Sequence, residues 1–471
     1  MRVVYFLAMF LQCILLYGQE KCIISIIEIK GNNITKKNII TRELDFSVND
    51  TLLYSDLQKK IEYSRENLKN LRLFNLVEID LKEKKDVDKK YVKIIISISL
   101  TERWYIWPFP IFEVYDRNFN VWWSEFKESD YSDFSRINYG IFLNWENFRG
   151  NNELLRLKFR RGFKEHYALQ YRKPYINTEK TIGLEGLIQL FRRKKSFYGS
   201  ENNALLYVEQ KDYTTRDFEL KLQFQYRKKT RNTHLLSIHY FNTKISDTIF
   251  FLNPYYLNND DLSGDYYKLS YNYINEQRDY VEYPLHGHYF DLSINKFFEN
   301  KSPVKHFEII GKAEMHKEPL TNLFAGSSFK IKWTTNDFQP YVSQKSLGYE
   351  DYVRGYEYYV IDGQKYWISR SAVKLGLLTD KNFNISFIKM DQFNKSFFSL
   401  FLSIFSDIGY VVNNQTGIQN NLSNKILWGR GISLDYVTYY DKILRIEYSI
   451  NDLGEKGIFL HFSNPFGTNE K

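Results

Sequence analysis

Arg354 stands in the run Val353-Arg354-Gly355-Tyr356, with Gly348 before it and Ile361-Asp362-Gly363 after it. Asp407 stands in a second run, Phe405-Ser406-Asp407-Ile408-Gly409. A guanidinium enclosed in a polar interior needs a carboxylate, and the planar fork of arginine can engage both oxygens at once. The chemistry offered is a buried ion pair between Arg354 and Asp407. Taken singly, each run also fits a solvated loop arginine and an ordinary turn acid. Enzymatic signatures are missing: the sequence holds no G-x-S-x-G elbow, no H-E-x-x-H and no G-x-x-x-x-G-K phosphate loop. His286 and His288 could share a strand face and hold a metal, but beside Pro284 and Gly287 a solvated turn is the better reading. Gly429 and Gly431 open no nucleotide loop, because no helix follows to direct its N-terminus at a phosphate. No catalytic residue, metal or cofactor is expected.

The elements that must position these residues are strands. The chain has 471 residues, 43% of them hydrophobic, with 38 Tyr and 37 Phe, yet its mean hydropathy is -0.46. This composition excludes a disordered chain and a small disulfide scaffold. Beyond the N-terminal segment no apolar run is long enough for a membrane-spanning helix, which excludes a helical-bundle membrane protein. From Trp104 onward the pattern has period 2. Phe218, Leu220, Leu222, Phe224 and Tyr226 alternate with polar residues, as do Leu155, Leu157 and Phe159, and later Leu444, Ile446, Tyr448 and Ile450. Many of the basic residues behind the net charge of +9 occupy the alternate positions, which points to a polar lumen and away from nucleic acid. About sixteen strands can be drawn at about 23 residues each, the habit of a single-chain transmembrane barrel. Connections after odd strands tend to be long (117–134, 193–213, 244–265, 336–366), whereas many even ones are short (149–151, 229–232).

Residues 1–18 have the layout of a cleaved secretory signal, with an uncut anchor as the alternative because Leu16 stands where a small residue is usual. Cleavage removes Cys13 and leaves Cys22 alone, so no internal disulfide forms. Residues 19–101 read as a small α+β module and 102–471 as the barrel. The module predicts a strand over 23–29, a short helix from near Thr35 carrying Ile39, Ile40 and Leu44, and a helix from Ser55 with Gln58 completing a capping box. Two alternating strands follow, one around Val77, Ile79 and Leu81 and one from Val92 to Leu100, giving the order β-α-α-β-β.

That order, with Lys30-Gly31-Asn32-Asn33-Ile34-Thr35 and Leu71-Arg72-Leu73-Phe74-Asn75-Leu76-Val77, resembles a POTRA domain, the periplasmic repeat ahead of the barrel in the Omp85 superfamily. One copy is visible. Val353-Arg354-Gly355-Tyr356 resembles the sixth-loop motif of that superfamily, and Phe405-x-Asp407-x-Gly409 its wall segment two strands on. The resemblance extends to the last strands, from Trp428-Gly429-Arg430-Gly431 onward. It implies a loop folded back into the lumen, with Arg354 meeting Asp407. One departure is the tail, which continues through Gly467 to Lys471 instead of stopping at an aromatic residue.

What the resemblance implies is transport without enzymatic chemistry: assembly, insertion or translocation of unfolded outer-membrane or secreted polypeptides in a Gram-negative outer membrane. The module, in the periplasm, would capture a client by β-augmentation and pass it to the seam between the first and last strands. Pro108 and Pro110 near the first strand, and Gly457 and Pro465 in the last, expected over 457–466, mark that putative lateral seam. Alternate residues direct their N–H groups to the same side, so prolines at 108 and 110 delete donors from one edge. A stiff link ahead of the barrel is the other reading of these prolines, and the favoured one. Expected partners are lipid and lipopolysaccharide, together with periplasmic or lipoprotein accessory subunits; the basic run Arg192-Arg193-Lys194-Lys195 could contact lipopolysaccharide, but a merely solvated run is the favoured reading. The alternative function is a passive channel or receptor barrel with a loop-plugged lumen.

Overall fold

A computed structural model describes residues 21–84, 91–114, 127, 129–132, 137–257, 261–299, 306–336, 339–384, 388–414 and 420–463. The signal segment, Pro465 and the tail therefore lie outside the described residues. The N-terminal module comprises β1 (Lys21–Lys30), α1 (Lys37–Thr41), β2 (Thr51–Leu53), α2 (Tyr54–Asn70), β3 (Phe74–Lys84) and β4 (Val92–Glu102). Its sheet runs in the order β2-β1-β4-β3, with β1 and β4 parallel. Ile94, Ile96 and Ile98, alternating along β4, pack with Leu57, Ile61 and Leu68 of α2 in a closed apolar core. Three details differ from the sequence reading. α1 ends at Thr41, ahead of Leu44. The three-residue β2 adds an element too short to show a period, and α2 begins one residue earlier, capped by Leu53 without a side-chain bond, so Ser55 and Gln58 form no capping box.

The barrel is one antiparallel sheet of 16 strands in sequence order. Its wall comprises β5 (Ile106–Val114), β6 (Ile137–Phe148), β7 (Glu153–Gly162), β8 (Lys164–Lys173), β9 (Ile182–Arg193), β12 (Thr215–Tyr226), β13 (Asn232–Ile245), β14 (Ser263–Glu276), β15 (Gly287–Glu299), β16 (His306–Leu320), β17 (Leu323–Thr334), β20 (Lys365–Asn384), β21 (Lys395–Val412), β22 (Ile426–Thr438), β23 (Lys442–Asn451) and β24 (Lys456–Ser463). Alternation does the sorting. Leu220, Leu222, Ile238 and Leu434 are exposed on the outer face, while Glu219, His239 and Gln189 bond to one another inside. No helix among the described residues is long and apolar enough to cross a membrane.

Outside the wall, β10 (Lys195–Glu201) and β11 (Ala204–Glu209) form a hairpin within the fifth connection, and α3 (Asp247–Leu252) sits in the seventh. Arg192 and Arg193 thus end β9 and Lys195 opens β10, so the basic run is not a loop; Arg193 meets Asp217 at 2.5 Å. The third connection is short, not long, since Phe163 alone separates β7 from β8.

The module is fastened to the even-numbered turns. Arg227, between β12 and β13, grips the fully buried Glu43 through both oxygens at 2.8 and 2.9 Å, and the Tyr175 hydroxyl donates to Glu43 at 3.3 Å. Arg231 donates to Asn67 at 2.8 Å and Glu66 at 2.6 Å from a position over the Tyr63 ring. Arg103, leading into β5, holds Asp441 of the β22–β23 turn at 2.6 and 2.9 Å. Lys36 N–H donates to Gly150 and Asn75 to Gln392, so turns from around the rim converge on the module.

Candidate functional site

Between β17 and β20 the chain turns inward, framed by β18 (Lys345–Leu347) and β19 (Ile361–Asp362). Val353 and Tyr356, at its tip, are buried with Leu347, Ile361, Ile368, Val411 and Leu427. Arg354 reaches Asp407 on β21 through Nε at 2.7 Å and Nη2 at 2.6 Å, while its backbone N–H donates to the same carboxylate at 3.3 Å. The Asp407 side chain is fully buried, and the guanidinium lies 3.7 Å over the Phe405 ring. This is a fork-to-fork pair in a water-poor setting, where removing one partner strands the other charge.

The wall is shaped for the loop. A Cβ at Gly429 would overlap the Arg354 carbonyl, and one at Gly409 would lie 2.7 Å from Val353 Cγ2. Missing side chains on β21 and β22 thus make the seat. The sequence reading placed Gly409 in the wall motif but gave Gly429 no contact role, although a glycine interrupting a strand is itself a signal of close backbone approach. Gly355 is pinned from the other side, its carbonyl accepting from Asn451 Nδ2 at 2.8 Å. At the outer end Tyr341 and Tyr349 donate to the buried Asp362 at 3.2 and 2.5 Å, and Ser200 of the β10–β11 hairpin also donates to it. Beside the loop is a cavity of about 1670 Å³, lined by Trp107, Phe109, Arg160, Asp217 and Tyr349 among others.

Pro108 and Pro110 lie inside β5, opposite Leu143 and Ile141 of β6, so the link reading is corrected: hydrogen bonding has already started at these residues. The Tyr105 carbonyl accepts from Glu146 N–H at 2.8 Å, which sets the parity. Odd residues of β5 face β6, and even ones, both prolines included, face the free edge. Among the described residues no ladder joins β5 to β24. Gly457 pairs with Ser449 at the start of β24, which is described to Ser463, short of Pro465. His286 contacts Asp279 and Glu318, each at 3.2 Å, and is half exposed in its turn.

No family model and no curated protein matches the chain. Among solved structures it is similar to BamA from Haemophilus ducreyi lacking POTRA domains 1–3, at 14% identity and TM-score 0.51, covering 94% of this chain and 84% of that one. It is also similar to CdiB from Escherichia coli, at 10% identity and TM-score 0.52, covering 94% and 75%. At such identities the likeness is one of fold. A sixteen-stranded sheet behind an α+β module is the fold of this chain, and over 94% of its length that fold is similar to those of the BamA and CdiB structures.

Proposed function

We propose that the protein inserts or translocates unfolded polypeptides at a Gram-negative outer membrane, with the module, residues 19–101, in the periplasm and the barrel, 102–471, in lipid. The observation that carries this reading is the free edge of β5, where prolines at 108 and 110 remove two donors from the one strand face available for closure. A seam short of hydrogen bonds is the cheapest place to part the wall and to template a client strand. β3 ends the module sheet, so its outer edge can receive an extended segment first. The Arg354–Asp407 clasp keeps the lumen loop seated while the seam works. Lipopolysaccharide around the outer face and periplasmic or lipoprotein subunits around the module complete the expected partners.

The test is reconstitution in liposomes with an unfolded barrel as client, its folding followed by heat-dependent gel mobility. The protein is expected to accelerate client folding over empty liposomes. A Pro110→Cys, Leu460→Cys pair, once oxidised, is expected to abolish that gain, and reductant to restore it. Full activity with the seam locked would sink the reading. A wide, steady conductance with no client folding would favour the passive channel.

A further inference from the structure

Three side chains that play no part in the Arg354–Asp407 clasp converge beside the loop: Glu357 from the loop, Glu447 from β23 and His461 from β24. Their ligand atoms all lie within 4.8 Å of one another. His461 Nε2 stands 3.3 Å from Glu447 Oε1 and 3.9 Å from Glu357 Oε1. Glu447 is 1% exposed, and among the described residues neither of its oxygens has a hydrogen-bond partner, nor has Glu357 Oε1 or His461 Nε2. Unpartnered atoms this deeply buried are costly unless something occupies the space between them.

The surroundings aim these atoms inward. Gly355 N–H donates to Glu357 Oε2 at 2.8 Å, which fixes the carboxylate and turns Oε1 into the cluster. The Tyr352 hydroxyl lies 3.2 Å from His461 Nδ1 and its ring stacks on the imidazole at 5.8 Å, which leaves Nε2 as the free nitrogen. Outer hydrogen bonds of this kind are what orient metal ligands. The nearby arginines are already engaged: Arg445 gives its fork to Asp435 at 2.8 and 3.0 Å, and Arg370 donates to the Tyr352 carbonyl at 2.7 Å. Two carboxylates therefore face each other with no committed counter-charge. Bonds of about 2.0–2.2 Å around a tetrahedral ion place neighbouring ligand atoms roughly 3.3–3.6 Å apart, close to the separations from His461.

We propose that Glu357, Glu447 and His461 bind a divalent transition-metal cation of the zinc class, with a fourth position open to water. One imidazole and two carboxylates suit zinc better than magnesium or calcium, which take oxygen ligands alone. His461, whose side chain keeps 28% of its surface exposed, gives the ion a way in. Such an ion ties the lumen loop to the last two strands of the wall. The site stands on its own geometry, whether or not the barrel moves polypeptides.

The full chain, purified in detergent and stripped with EDTA, is titrated with zinc chloride by calorimetry, and cobalt(II) is added in parallel as a spectroscopic probe. About one zinc per chain is expected, with a cobalt spectrum of low coordination number. E357Q, E447Q and H461Q are each expected to weaken zinc at least about tenfold, while D452N, on the exposed turn, binds as the parent does. Heat-dependent gel mobility shows whether each variant is folded. Should the variants fail to fold, the parent's cobalt spectrum and its loss on adding EDTA decide the matter. Absence of zinc binding by the parent would overturn the proposal. Unchanged affinity in the folded variants, or displacement of zinc by equimolar magnesium, would overturn it equally.

Discussion

At the scale of single residues, the buried charge pair and the missing side chain at Gly429 both hold the loop, and the two can be tested separately. Arg354→Ala leaves Asp407, whose side chain is fully buried, with only the longer contact to Arg370 Nε at 4.0 Å, and breaking a buried pair costs about 3–5 kcal/mol. The expected result is a loop that becomes protease-sensitive and a single-channel conductance that rises and flickers. Arg354→Lys keeps the charge but loses the two-pronged contact, so an intermediate conductance is expected. Gly429→Ala leaves the charge pair untouched and instead drives a methyl group into the Arg354 carbonyl. It is expected to release the loop at a cost of about 1–3 kcal/mol, giving the conductance of Arg354→Ala with both charges present. A quiet, closed channel in Gly429→Ala would show that the glycine does not make the seat.

At the scale of elements, the period-2 pattern carried most of the fold, because each barrel strand sorts its residues between an apolar exterior and a polar interior. The alternation from Phe218 to Tyr226 is the strand Thr215–Tyr226, and that from Val92 to Leu100 is Val92–Glu102. What escaped lacked a period or lay between elements. The strand Thr51–Leu53 is too short to alternate, and the hairpin of β10 and β11 is folded within what reads as a long loop. Arg354 and Asp407 were legible as partners through their motifs. Glu357, Glu447 and His461 were not, since three elements contribute one residue each and no spacing rule connects them. The prolines were legible as donor losses on a strand edge, but the choice between strand and linker was not, because a proline pair just after a module equally suits a linker. Their placement on the β5 edge yields a prediction: a Pro108→Val, Pro110→Val double variant restores two edge donors, each offering about 0.5–1.5 kcal/mol if satisfied. Client folding is expected to slow severalfold while the heat resistance of the barrel rises. Faster client folding would mean that the edge acts by some means other than weak closure.

For the whole molecule, the decisive fact is how tightly module and barrel are joined. Glu43 and Asp441 are both buried, and each is met by an arginine across the junction. A module held in this way is a rigid extension of the barrel rim formed by the even-numbered turns, so a segment bound along β3 would arrive at a fixed distance and angle from the first strand. Arg227→Ala leaves Glu43 without its fork, and the module is expected to loosen on that side while the other clamps remain, seen as broadened spin-label distances between module and rim and as a fall in client folding with the barrel intact. The pH dependence of the junction follows from Asp441. Burial pushes its carboxyl up, but Arg103 and the Tyr280 hydroxyl outweigh burial and hold it below the usual carboxylate range. A group depressed in the folded state stabilises the junction above its unfolded value of about 3.9 and loses that contribution as pH falls through the folded value. The spin-label distances are therefore expected to stay narrow from about pH 8 to about pH 5 and to broaden only below about pH 4. In Asp441→Asn that acid step is expected to shrink, because the titrating carboxyl is gone. Broadening already near pH 6 would assign the junction to a histidine instead, and would place the hinge somewhere other than the Arg103–Asp441 pair.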